Sequence, residues 1–118
     1  MKAYTDLEQS KKLAEILPLE SADMVWVLAN PDLPMIRVIA YEDSEKSKYY
    51  EILPAWSLAA LLDILPFPQL SKDKLGSGKV GWMVSAYPDD CRTDSCWHDN
   101  PIDACVEMII NLHELKLL

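Results

Sequence analysis

The chain has 118 residues, half of them apolar and a quarter charged, which is enough for one folded core and excludes the low-hydrophobicity, high-charge regime of a disordered chain. Acidic residues outnumber basic ones 19 to 11, the net charge is −8, and the longest basic cluster is the pair Lys11-Lys12. The cationic surface that direct DNA or RNA binding requires is therefore missing, and an acidic surface most simply serves solubility.

In chain order, Thr5-Asp6-Leu7-Glu8 has the form of a capping box, with the Thr5 hydroxyl set to accept the Glu8 amide and Glu8 set to reach back. Leu7, Leu13, Ala14, Ile16 and Leu17 recur at helical spacing and Pro18 stops the run, so a first helix is expected over about residues 6 to 17. Residues 24 to 29, Met-Val-Trp-Val-Leu-Ala, are apolar throughout and fit a buried strand. The turn-forming Asn-Pro-Asp-Leu-Pro at 30 to 34 separates them from a second strand at 35 to 41. A solvated stretch at 42 to 48 leads to a short third strand at 49 to 53, and strands joined so closely pair antiparallel.

Residues 54 to 66 are bracketed by Pro54 and Pro66, with Leu58, Leu61, Leu62 and Leu65 at i, i+3, i+4 and i+7, which predicts a central helix that is apolar nearly all round. Residues 66 to 79 are polar and rich in proline and glycine and read as a loop; residues 80 to 87 read as a strand with Trp82, Val84 and Ala86 on one face. A second loop covers 88 to 99. Asn100-Pro101 then offers an N-cap followed by proline at the first helical position, and Ile102, Cys105, Val106, Ile109, Ile110 and Leu112 form the apolar stripe of a last helix. The expected architecture is one α+β domain over residues 1 to 118: a small, mainly antiparallel sheet of about three or four strands with about three helices packed on one face. Its order is helix, two or three strands, helix, strand, helix. The shared endings Glu-Ile-Leu-Pro at 15 to 18 and Asp-Ile-Leu-Pro at 63 to 66 are too short to establish an internal repeat.

Residues 91 to 105, Cys-Arg-Thr-Asp-Ser-Cys-Trp-His-Asp-Asn-Pro-Ile-Asp-Ala-Cys, hold all three cysteines and one of the two histidines. A structural zinc site takes four thiolate or imidazole ligands from closely spaced pairs, whereas Cys91, Cys96, His98 and Cys105 follow C-x4-C-x-H-x6-C. On the last helix Cys105 falls in the isoleucine stripe and reads as a buried apolar residue. Cys91, Cys96 and His98 are then weak metal candidates, short of a full ligand set, and zinc binding through them is the alternative to a metal-free loop. Asp89, Asp90, Asp94 and Asp99 beside the lone Arg92 disfavour a reactive thiolate, and their spacing lacks the glycine and terminal glutamate of a calcium loop.

His113-Glu114 lacks the second histidine of a zinc-protease helix, and Gly76-Ser77-Gly78-Lys79 lacks the spacing of a phosphate-binding loop. No catalytic set assembles and no cofactor is implied. Trp26, Trp56 and Trp82 lie in periodic segments and read as core, and Tyr49-Tyr50 could edge a groove. Trp97 stands in an acidic segment, where it either lids the core or serves as a contact anchor.

No apolar run reaches the roughly 18 residues that span a bilayer. The opening Met-Lys-Ala-Tyr-Thr-Asp-Leu-Glu lacks the apolar stretch of a secretory signal, so the expected location is the cytoplasm, with free thiols.

Residues 4 to 18, Trp56-Ser57-Leu58-Ala59-Ala60-Leu61-Leu62 and Asp99-Asn100-Pro101-Ile102-Asp103-Ala104-Cys105 resemble a family of short uncharacterised proteins of Bacteroides-type gut bacteria and their phages or mobile elements. The resemblance implies a cytoplasmic accessory protein and brings no catalytic residues with it. The expected activity is that of a non-enzymatic protein-interaction module whose acidic loop at 89 to 103 offers Trp97, Asp94 and Asp99 to a protein partner.

Overall fold

In a computed structural model, the structure describes residues 2–27, 35–37 and 52–118, with the side chains of 35–37 excepted. Among the described residues the fold class is α+β, with three α-helices and antiparallel pairing in both sheets. The described strands number six and divide into two three-stranded sheets, where the sequence suggested one. The turn expected at 30 to 34, the solvated stretch at 42 to 48, and Tyr49-Tyr50 lie outside the described residues.

Two compact units emerge, Tyr4–Ala60 and Leu61–Leu118 with Met1–Ala3. In the first, helix α1 spans Leu7–Ile16. Its capping box is built one residue later than expected. Asp6 Oδ1 accepts the Gln9 amide at 2.8 Å, and Gln9 Oε1 accepts the Asp6 amide at 3.1 Å. Thr5 cannot cap because it is engaged elsewhere: its amide donates to the Trp56 carbonyl at 3.0 Å, and its hydroxyl accepts the Trp56 amide at 3.1 Å and meets Ser10 Oγ at 2.7 Å.

Strands β1 (Met24–Val27), β2 (Met35–Arg37) and β3 (Ile52–Ala55) form a sheet in the order β2-β1-β3. β3 corrects the expected central helix, which does not begin at Pro54. Pro54 faces Val25 and Ala55 faces Met24 in the ladder, and the missing proline N–H is tolerated because β3 ends the order of the described strands. The helix starts only after Ser57, whose hydroxyl accepts the Ala60 amide at 3.3 Å, while Ser57 itself donates from both amide and hydroxyl to Asp23. Helix α2 is thus confined to Leu58–Ile64. Trp56, displaced from the helix, is fully buried and its indole N–H donates to Ser21 Oγ at 3.0 Å. Trp26 is only half-buried, edge-on to Tyr4, with its indole N–H on the Thr5 carbonyl.

In the second unit the loop expected over 66 to 79 contains a strand. β4 (Gln69–Lys74) pairs along its whole length with β5 (Val80–Ala86), and the ladder is closed by a turn in which Gly78 takes φ 87° and donates to the Leu75 carbonyl at 2.8 Å. Polar composition hid this strand; pairing on a well-specified apolar neighbour overrides it, with Leu70 opposite Val84 and Lys72 Nζ 5.1 Å from the centre of the Trp82 ring. Val84 and Ala86 are fully buried, as their shared face requires.

Helix α3 (Pro101–Glu114) begins as expected: Asn100 Oδ1 accepts the Asp103 amide at 2.9 Å. Ile102, Cys105, Val106, Ile109 and Leu112 are all buried, and the helix lies against β5. Its end is a Schellman motif, with Leu117 N donating to Leu112 O at 2.8 Å, Lys116 N to His113 O at 3.0 Å, and Lys116 at φ 59°. Helices α1 and α2 end alike, but the strands are ordered β2-β1-β3 in one sheet and β4-β5-β6 in the other, with β6 at Thr93–Asp94, so the shared Ile-Leu-Pro is a helix stop and not the mark of a duplicated unit.

Candidate functional site

The cysteine segment is not a free loop. After β5, a 3-10 turn at Pro88–Asp90 places Asp89 at φ 50° and Asp90 at φ 62°, left-handed values that aspartate tolerates better than most residues. The chain returns as β6 (Thr93–Asp94), where Thr93 faces Ala86 and Asp94 faces Ser85. Ser95 then donates its amide to the Val84 carbonyl at 2.9 Å, in the same register.

The register changes before the next pair. Trp82 faces His98, not Trp97, and the two exchange both amide-to-carbonyl bonds at 2.7 and 2.8 Å. One extra residue has been taken up between 95 and 98, which makes Cys96-Trp97 a β-bulge on β5. A bulge leaves a backbone amide without a ladder partner and redirects the side chains that it carries. Glu107 of α3 supplies the missing acceptor: its Oε2 takes the Cys96 amide at 2.7 Å, and its Oε1 meets His98 Nε2 at 3.2 Å. Ser95 completes the frame, its hydroxyl accepting the Val84 amide at 3.0 Å and donating to the Cys96 carbonyl at 2.8 Å. Trp97, between these anchored neighbours, is 40% exposed.

The other sequence candidates divide. Asp94 is committed within its own hairpin, accepting from Arg92 Nε at 2.8 Å and from Ser85 Oγ at 2.7 Å. Arg92 first and Ser85 second hold its carboxyl below the ordinary range. Asp99 is exposed next to the His98 bridge. Cys91 and Cys96 are exposed free thiols, whereas Cys105 is fully buried among apolar residues of α3 and burial pushes its thiol up to about 12.

Cys96, His98 and Glu107 are neighbours, yet their chemistry is not that of an activated nucleophile. A nucleophilic thiol needs an imidazole or another base to draw off its proton. Here the thiol is raised by its hydrogen bond to Glu107 and then by that carboxylate's charge. Among the described residues, no three His, Cys, Asp or Glu side chains converge in a way that could hold a metal ion. His113 lies exposed in the last turn of α3, and Gly76-Ser77-Gly78-Lys79 is the turn of the β4–β5 hairpin.

Two residues escaped the sequence. Glu107 reads as one more polar position on α3, because the bulge that needs it is set by a register no local pattern encodes. Phe67, the chain's one phenylalanine, stands 80% exposed at φ 48° between Pro66 and Pro68, at the end of the sheet where Tyr87 N donates to the Pro66 carbonyl. Proline on both sides of an aromatic was the available signal.

No protein-family model, no curated protein and no solved structure matches this chain. Among the described residues, no helix is long and apolar enough to cross a membrane.

Proposed function

We propose that the protein is a small non-enzymatic interaction module that presents Trp97 to a protein partner, in the setting of a cytoplasmic accessory protein of the bacterial or mobile-element kind that its sequence resembles. One observation carries the proposal: a large aromatic stands half out of the surface on a bulge whose flanking backbone groups are tied to β5 and α3. Binding energy at protein interfaces concentrates in such aromatics. An anchor already ordered in the free protein also avoids the entropy cost of fixing a loop on association. Asp99, exposed two residues on, adds a negative rim that favours partners of opposite charge and repels others. Asp94 contributes chiefly by fixing Arg92 and the hairpin, since its oxygen is shared with two donors of its own chain.

The test is capture from cells that make the protein, with a photo-crosslinking amino acid at position 97 and, as a control, at the exposed Lys12. A discrete adduct from position 97 that is absent from position 12 is the expected outcome, together with a partner that affinity capture recovers on the unlabelled native chain and not on the unlabelled Trp97→Ala, Asp94→Lys variant. Identical partner sets for the native and doubly substituted chains would retire the proposal.

A further inference from the structure

We infer that Glu107 is the positioning residue of this surface: its carboxylate fixes the register of the bulge and thereby the direction in which Trp97 points. The inference deepens the preceding proposal and rests on it for its biological meaning, but its physical content concerns the free protein alone.

The ladder itself offers two registers. Thr93, Asp94 and Ser95 are aligned on Ala86, Ser85 and Val84, and simple continuation would set Trp97 opposite Trp82. The chain instead sets His98 there. Because side chains alternate across a strand, a shift of one residue sends each to the opposite face. The continued register would turn Trp97 to the face that His98 now occupies.

What distinguishes the two arrangements is the Cys96 amide. In the bulge it has no carbonyl partner on β5 and donates to Glu107 Oε2 at 2.7 Å, a short contact of the charge-assisted kind. The second oxygen of the same carboxylate lies 3.2 Å from His98 Nε2, so a single side chain grips both sides of Trp97. Glu107 can do this because α3 holds it rigidly. Its neighbours Val106 and Met108 are buried, and its own side chain is about a quarter exposed at the helix margin. A charged group placed deeper would have to be desolvated, and one placed farther out would lose its grip to water. The raised thiol of Cys96 is a by-product of the same carboxylate.

The test uses the full chain labelled with 5-fluorotryptophan, the Trp97 resonance being assigned by its loss in Trp97→Phe. In Glu107→Ala the Trp97 resonance and its solvent isotope shift are expected to move from their native values while those of Trp26 and Trp56 stay in place. Glu107→Gln keeps an acceptor oxygen for the Cys96 amide and is expected to restore the native signal. A role in stability alone would lower the melting temperature of Glu107→Ala and leave the Trp97 resonance where it is, and that result overturns the inference. Hydrogen exchange supplies a measurement that needs only the native protein. The Cys96 amide is expected to be protected by about ten- to a hundredfold, as a hydrogen bond to a charged acceptor implies; exchange at the rate of an open chain overturns the inference even if Glu107→Ala does not fold. These readouts are independent of any partner. An immobile Trp97 resonance refutes the role of Glu107, whereas failure of the crosslinking experiment refutes the interaction surface.

Discussion

Trp56 and Trp97 are held by the same device and end in opposite environments. Beside Trp56, the Thr5 hydroxyl accepts a backbone amide at 3.1 Å; beside Trp97, the Glu107 carboxylate accepts one at 2.7 Å. The first indole is fully buried and its N–H is satisfied by Ser21, while the second stands 40% exposed. The difference follows from the acceptor. A neutral hydroxyl with a second partner in Ser10 can be buried completely at little cost, whereas an ionised carboxylate must keep contact with water, so the segment it holds stays at the surface. One latch builds a core and the other builds a face.

The sharpest way to break this contrast is to remove the rings. Trp56→Ala should destabilise the fold by about 3–5 kcal/mol, as for other fully buried large aromatics, and Trp97→Ala by only about 0.5 kcal/mol, as at a surface position. Urea denaturation of the two variants reads both, and equal losses would mean that Trp97 is part of the core. Removing the buried latch is the next largest effect. Thr5→Val keeps the shape but leaves the Trp56 amide and the Ser10 hydroxyl without the oxygen they share, at a cost of about 1–3 kcal/mol in the same assay.

Cysteine sharpens the contrast through pH. Cys105 has its thiol raised from the ordinary 9.0 to about 12 by burial, so the folded state favours the protonated form more than the unfolded state does. The stability this contributes is complete below pH 9 and is lost as the pH rises from about 9 toward 12. Denaturation midpoints across that range should fall more steeply for the native protein than for Cys105→Ala. The smallest effect belongs to the other exposed aromatic. Phe67 sits at φ 48°, where glycine has no side-chain penalty, and Phe67→Gly should raise stability by about 1 kcal/mol in thermal unfolding.

Much of this was legible in the residues. Asn100-Pro101 and the isoleucine stripe after it announce α3 and the inward Cys105, because capping and helical periodicity are local and α3 obeys both. The misreadings share one cause, which is pairing at a distance. Pro54 looks like the start of a helix until β1 claims it, and Thr5 looks like an N-cap until Trp56 takes both its amide and its hydroxyl. Gln69 to Lys74 look like a loop until β5 gives them a ladder. At the candidate site, Trp97 could be singled out as an aromatic in acidic surroundings. Glu107 could not, since its importance arises from a one-residue change of register between β5 and the segment after β6.

Trp97 is exposed and held, not exposed and loose. Backbone heteronuclear {1H}-15N Overhauser enhancements for Ser95, Cys96, Trp97 and His98 measure this directly on the native protein. Values level with those of α3 are expected from the bonds to Val84, Trp82 and Glu107; values falling at Cys96 and Trp97 to those of a mobile loop would contradict the account.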